Sequence, residues 1–262
     1  MKEGENQMNI YIFDNKKETS KVAAEKAIKI LNDTIVQKGE ANFVVDTGAS
    51  QFDFIDYLVN DKTVEWGKTN MFHLDEYIGL KENHPASFRK YLNERFVSKV
   101  NLKTITLIQG DVEDPEEECD ILNNILENRI IDIVFLGIGE NGHLAFNDPP
   151  ADFETKKSFK IVNLDKACRS QQVKEGWFNK IDKVPKRAIT MTINQIIKAK
   201  NIVCTVPGKR KAQAIKDCLQ DANVYNQYPA SILKKHDKAY IYLDLESASL
   251  LDNCVWLNDN PK

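Results

Sequence analysis

Eight short apolar runs, separated by stretches of helical pattern, constrain this chain more than any other feature. They fall at residues 9–13, 41–45, 70–74, 104–108, 131–136, 188–192, 201–206 and 238–243. Strands buried on both faces read as continuous apolar runs, and helices between them provide the crossovers that a parallel sheet requires. The pattern predicts an α/β fold: a single domain over residues 1–262, with a mostly parallel, Rossmann-like central sheet flanked by helices on both faces. Between the first two runs, Ala23, Ala24, Ala27, Ile28, Leu31 and Ile35 recur at helical spacing, with Gly39 placed to end the helix. No repeat or Ser/Gly/Pro-rich linker divides the chain. The acidic stretch 111–120 reads as a solvated loop leading into a helix through Ile121 and Ile125, since acidic residues suit a helix N-terminus.

Charge limits the partners. A net charge of −3, with both signs interspersed, leaves no basic stripe for a nucleic acid or an anionic membrane, while a small anion can still bind through local donors. Residues 1–7 are polar rather than signal-like, and no apolar run approaches the roughly 18–20 residues of a membrane span, so the chain reads as cytoplasmic. Cys119, Cys168, Cys204, Cys218 and Cys254 form no C-x-x-C pair and read as reduced structural thiols. Cys168 adjoins Arg169, which could favour its thiolate, but no histidine lies near it in sequence.

Ligands of open parallel sheets bind beyond the carboxyl ends of the strands, and four such places carry chemistry. After Val45, the turn Asp46-Thr47-Gly48-Ala49-Ser50-Gln51 can aim backbone N–H groups and two hydroxyls at a phosphate, or Ser50 can simply cap a helix. After Leu74, Asp75 and Glu76 offer two carboxylates, either of which could become a general base if burial raised its proton affinity. His73, alternating with Phe72 and Leu74, reads as a packed histidine rather than a ligand. After Leu136, a loop with Gly137, Gly139 and Gly142 presents His143, and Asp148 could orient that imidazole. After Val206, Lys209, Arg210 and Lys211 enter a helix, an arrangement the helix dipole disfavours unless an anion sits there. His73, His84, His143 and His236 show no metal-ligand spacing, and Gly137-Ile138-Gly139 lacks the third glycine of a dinucleotide site.

Together, Leu74-Asp75-Glu76-Tyr77-x-Gly79, His84-Pro85-x-Ser87-Phe88, the long run from Gly137 to Pro149 and Gly208-x-x-Lys211-Ala212 closely resemble the glucosamine-6-phosphate deaminase family. The related 6-phosphogluconolactonases share the scaffold but typically carry Asp-Glu-Arg where this chain has Tyr77, and Phe146-Asn147-Asp148-Pro149 points to the deaminase branch. The resemblance implies that Asp75 moves a proton between C2 and C1 of the opened sugar. It implies His143 as the acid/base of ring opening, supported by Asn141 and Asp148. Lys211 and the loop Thr47, Gly48, Ala49 and Ser50 correspond to the phosphate site, and Gly137 to a substrate contact. It implies no metal or organic cofactor, a small sugar phosphate as substrate, and leaves homo-oligomer formation open.

Three departures from the family stand out. Asp148 replaces a frequent Glu, Asn141 stands where some members have Asp, and a substrate arginine is replaced near Gln172, with Arg169 as its substitute. The stretch between Ala151 and Lys160 matches the family's allosteric residues poorly, so activation by an amino sugar is not expected. The leading expectation is conversion of glucosamine 6-phosphate to fructose 6-phosphate and ammonia. Deamination of galactosamine 6-phosphate to tagatose 6-phosphate uses the same chemistry on the C4 epimer, and lactone hydrolysis is the remaining enzymatic alternative. A ligand-binding regulator on this scaffold would keep the phosphate contacts and lose catalytic groups, which retention of Asp75 and His143 argues against.

Overall fold

The computed structural model describes residues 9–252, so the readings of residues 1–7 and of Cys254 lie outside the described residues. In chain order the elements are β1 (Asn9–Phe13), α1 (Lys16–Lys38), β2 (Ala41–Val45), α2 (Phe52–Asn60), β3 (Thr69–His73), β4 (Asp75–Tyr77), α3 (Phe88–Leu92) and β5 (Thr104–Thr106). There follow α4 (Pro115–Leu126), β6 (Ile133–Leu136), β7 (Phe159–Asn163), α5 (Lys166–Lys174), β8 (Arg187–Met191), α6 (Ile193–Ile197), β9 (Ile202–Val206), α7 (Ala212–Leu219) and β10 (Ala239–Asp244). No helix among the described residues is long and apolar enough to cross a membrane.

Seven strands form one parallel sheet in the order β1-β10-β9-β6-β2-β3-β5. Side-chain alternation divides each central strand between two cores. Phe43, Val45, Ile133, Phe135 and Val203 face α1 and α2, where Ala27, Leu31, Phe54 and Leu58 cover them. Val44, Val134, Leu136, Cys204 and Val206 face the opposite core, which Leu122, Ile196 and Ile215 close from α4, α6 and α7. Helices thus lie on both faces, as the sequence pattern predicts. Gly39 ends α1 at φ 83, its N–H bonded to the Ile35 carbonyl. Asp114 caps α4 by accepting from the Glu116 and Glu117 amides, so the acidic stretch does lead into a helix.

The run at 188–192 departs from the parallel pattern. It forms β8, paired antiparallel with β4 and β7 in a separate three-stranded sheet. The link is chain continuity: β3 leaves the main sheet at Leu74, whose carbonyl accepts from Met191, and runs straight on into β4. Tyr77, Phe88, Phe146 and Phe178 pack beneath this small sheet as a third core.

Gly110 closes the far side of this junction. Its carbonyl accepts from the Gly79 amide at 2.7 Å, and a Cβ at Gly110 would strike the Tyr77 carbonyl oxygen and meet Glu76 Cγ at 2.9 Å. Gly110→Ala should therefore destabilise the fold by about 1–3 kcal/mol, seen as a lower denaturation midpoint at unchanged m-value. An unaltered midpoint would contradict the close packing.

Candidate active site

The four strand ends singled out in sequence belong to β9, β6, β2 and β3, which are consecutive neighbours in the sheet. Their loops meet in one cleft. Asp75, Gly137, His143, Lys211 and the loop Thr47, Gly48, Ala49 and Ser50 all line it. Asn141 and Asp148 stand behind His143 rather than in the wall. Arg169 does not reach the cleft: its guanidinium donates to the carbonyls of Ile181 at 2.6 Å and Val184 at 3.3 Å, holding the turn after α5. The expected substitute for the missing arginine is thus spent on its own loop, and Gln171, Gln172 and Glu175 form that part of the wall.

Strand geometry sorts the two adjacent carboxylates. Successive side chains of β4 point to opposite faces, so Asp75 and Glu76 enter different environments. Glu76 is fully buried and satisfied: it accepts from the amides of Tyr77, Phe88 and Arg89 at 2.8, 3.3 and 2.8 Å and from the Ser87 hydroxyl at 3.0 Å. Asp75 is 4% exposed, and its Oδ1 has no hydrogen-bond partner. Burial, reinforced by the charges of Asp46 and Glu76, raises the Asp75 carboxyl well above the usual range.

His143 is positioned by the loop after β6. The imidazole lies against the α-carbon of Gly139, where any Cβ would overlap the ring. Its Nδ1 faces Asn141 Oδ1 at 2.6 Å and Asp148 Oδ1 at 3.3 Å. Two oxygen acceptors place the ring proton on Nδ1, which leaves the Nε2 lone pair free to take a proton. Asn141 Nδ2 also donates to Asp148 Oδ1 at 3.0 Å, and the Asp165 amide donates to Oδ2 at 3.1 Å. Burial pushes the Asp148 carboxyl up, but His143, Asn141 and the Asp165 amide outweigh it and hold it below its ordinary value. The shorter Asp at this position therefore still reaches the imidazole.

The loop 47–51 differs in detail from the sequence reading. Residues Ala49–Gln51 form one turn of 3-10 helix and Ser50 does not act as the cap of α2. The N–H groups of Thr47 and Gly137 both donate at 2.7 Å to Asp46, so they are taken. The buried Thr47 hydroxyl has no partner. Lys211, at 7% exposure, closes the cleft, and desolvation lowers its pKa despite Glu175 and Glu140 nearby. Arg210 turns outward to Glu140 at 3.3 Å and Glu175 at 3.9 Å.

His73 is a core histidine: it is 1% exposed, and burial beside Arg89 lowers it to about 3. Cys204 is buried as expected. Cys168 is a buried free thiol, in keeping with the structural reading, and Arg169 does not favour its thiolate. The guanidinium turns away, and burial together with Asp148, Asp165 and Asp75 pushes the thiol well up. A histidine is nevertheless close in space, since His143, Asp148 and Cys168 bring ligand-type atoms within 4.8 Å of one another. Their bonds to Asn141 and Asp165 already satisfy the imidazole Nδ1 and both carboxylate oxygens.

The sequence reading gave no role to Asp46 and did not reach Glu175. Asp46 is the first residue after β2, so the rule that drew attention to the other strand ends applied to it equally. Burial lifts its carboxyl to about 6, opposed by the two amides and by His143 and Lys211.

The parallel sheet, the junction into a small antiparallel sheet and a cleft pairing a buried aspartate with an oriented histidine define a class of sugar-phosphate enzymes. The chain matches the family model described as glucosamine-6-phosphate isomerases/6-phosphogluconolactonase over residues 14–242, and it belongs to that family. It is 36% identical over 229 residues to glucosamine-6-phosphate deaminase of Oenococcus oeni, covering 87% of this chain and 94% of that enzyme. Among solved structures, a monomeric glucosamine-6-phosphate deaminase superposes with a TM-score of 0.83 at 30% identity, covering 93% of this chain and all (100%) of the other. A 6-phosphogluconolactonase from Trypanosoma brucei, at 15% identity, shares the fold with a TM-score of 0.78 over 94% of this chain and 99% of its own.

The contrast between neighbours in β4 is measurable at pH 7.5. Glu76→Gln should lower the unfolding free energy by about 2–3 kcal/mol, because a carboxylate accepting four bonds becomes an amide that must oppose some of the same donors. Asp75→Asn should leave stability unchanged or raise it. The raised Asp75 pKa means that folding is penalised once pH exceeds the unfolded value, and the neutral amide removes that penalty. Equal losses in the two variants would defeat the division of roles.

Proposed function

We propose that this chain is a cytoplasmic amino-sugar-phosphate deaminase/isomerase that converts glucosamine 6-phosphate and water to fructose 6-phosphate and ammonia. The observation that carries the reading is the unpartnered, buried carboxyl oxygen of Asp75 in the same cleft as the free Nε2 of His143. Isomerisation next to a carbonyl needs a base above one face of the sugar, and ring opening needs a separate proton carrier at the ring oxygen.

The phosphate binds at Lys211 and the loop 48–50, joined by the Thr47 hydroxyl. His143 Nε2 takes the proton of the C1 hydroxyl and returns one to the ring oxygen, giving the open aldehyde. Asn141 and Asp148 hold Nδ1 during both transfers and stabilise the charged imidazole. Asp75 then removes the C2 proton and delivers it to C1, while the C1 carbonyl oxygen becomes a hydroxyl with a proton given up by the C2 ammonium. The imine left at C2 is hydrolysed by water, which releases ammonia and leaves the ketone. Lactone hydrolysis would have no use for a buried isomerisation base at Asp75.

Ammonia release from glucosamine 6-phosphate and galactosamine 6-phosphate, with 6-phosphogluconolactone hydrolysis in parallel, tests the reading; lactonase activity without ammonia release would overturn it. Asp75→Asn should lower turnover at least about 100-fold while sugar-phosphate binding persists. Retained deuterium incorporation from solvent at C1 would transfer the base role elsewhere.

A base works only when ionised, so the acid limb of kcat/KM should lie above the ~3.9 of an ordinary aspartate. Because the Asp46 charge is one cause of the upward shift at Asp75, Asp46→Asn should move that limb to lower pH. A limb that stays in place in the variant would separate Asp46 from Asp75 electrostatically.

For His143→Gln, the loss should be far greater on the cyclic substrate than on an analogue locked open. Equal losses on both, with a lower melting temperature, would make His143 a structural residue.

A further inference from the structure

Asp46 has no part in the proton transfers just described, yet it lines the same cleft. Its Oδ1 accepts from the Thr47 amide and its Oδ2 from the Gly137 amide, both at 2.7 Å, so it bridges the ends of the neighbouring strands β2 and β6. We propose that Asp46 is a specificity-determining residue that accepts a hydrogen bond from a mid-chain hydroxyl of the sugar phosphate, at C3 or C4. The inference rests on the proposed function and adds to it the residue that reads the substrate's hydroxyl configuration.

Position supports this. Lys211 and the loop 48–50 line the cleft with Asp46, as do Asp75 and His143, and Asp46 is close enough to interact electrostatically with Lys211, His143 and Asp75 alike. A six-carbon chain with its phosphate at the first pair and its C1 and C2 at the second must pass its C3 and C4 hydroxyls between them. A carboxylate has about four lone-pair directions, and the two amides use two. The residue is partly exposed and lines the cleft. With its carboxyl near 6, Asp46 is mostly ionised at pH 7.5 and can only accept.

Energetics point the same way. A negative charge beside a phosphate loop weakens anion binding. A neutral acceptor would hold the Thr47 and Gly137 amides without that cost, so the charge finds its use in a donor on the ligand. Hydroxyls are the donors that a sugar phosphate carries in its middle. C4 is where glucosamine and galactosamine 6-phosphates differ, so a contact at C4 rather than C3 would discriminate between the epimers.

The test is a binding cycle that needs no turnover. Fructose 6-phosphate, its 3-deoxy and 4-deoxy analogues and inorganic phosphate are titrated calorimetrically into the wild-type protein, Asp46→Ala and Asp46→Asn, with melting curves to verify folding. One deoxy analogue should bind the wild type about 10- to 100-fold more weakly than the parent, the range for a hydrogen bond to a charged group. That penalty should vanish in Asp46→Ala, while inorganic phosphate binds both variants at least as well as the wild type. Penalties unchanged in both variants would overturn the proposal. So would a matching loss for inorganic phosphate, which would make Asp46 a support of the phosphate loop. Failure of the wild type to bind fructose 6-phosphate would refute the sugar-phosphate reading itself, and absent ammonia release with intact binding would refute only the deamination step.

Discussion

The buried carboxylate of Glu76 organises the molecule's working end. It gathers three backbone amides and a serine hydroxyl from β4 and the start of α3, with the Arg89 guanidinium 3.7 Å away. Arg89 in turn reaches Gln109, the Leu80 carbonyl and Asp111. This network fixes the strand that emerges from the parallel sheet, and a fixed strand with a period of two must point the preceding residue the other way. Asp75 is therefore aimed into the cleft by a neighbour that never enters it. Four donors offset part of the cost of burying the Glu76 charge, though burial still raises its carboxyl above the ordinary value; Asp75, whose Oδ1 has no such donor, is raised further.

The opposite wall follows a different principle. His143 is held by close approach and by acceptors on one side of its ring: Gly139 leaves room for the imidazole, and Asn141 and Asp148 hold Nδ1. Asn141 serves both partners, with its oxygen toward the histidine and its nitrogen toward the aspartate, which an Asp at 141 could not do without placing two carboxylates in contact. The departures at 141 and 148 thus form one self-consistent arrangement.

Much of this was legible in the sequence, for identifiable reasons. Continuous apolar runs marked seven strands of the parallel sheet, and Gly39 and the acids before α4 marked helix ends. Three-residue β4 escaped notice because its two carboxylates resemble a turn, and β7 because its residues after Phe159 are only partly buried. Pairing partners are long-range facts, so the antiparallel setting of 188–192 could not be read locally. At the site, strand ends drew attention to Asp75 and Glu76, to His143 and to the cations at 209–211, and the family resemblance chose Asp75 and Lys211 among them, but side-chain direction decided the rest. Arg169 faces its own loop, Asp46 claims the amides expected to meet a phosphate, and Cys168 sits among carboxylates contributed from elsewhere in the chain.

The cleft is assembled from the ends of β9, β6, β2 and β3, which are adjacent in space although they span the chain from Thr69 back to Ala41 and onward to Val206. No contiguous fragment shorter than residues 41–206 contains all four. A nascent chain that has built β2 and β3 lacks the histidine loop, and one that has added β6 still lacks the lysine that follows β9. Such long-range closures come late, after the entropy of bringing distant segments together has been met. Catalytic competence in this architecture is consequently a property of the assembled sheet, and activity cannot return during refolding before the β9 segment has docked.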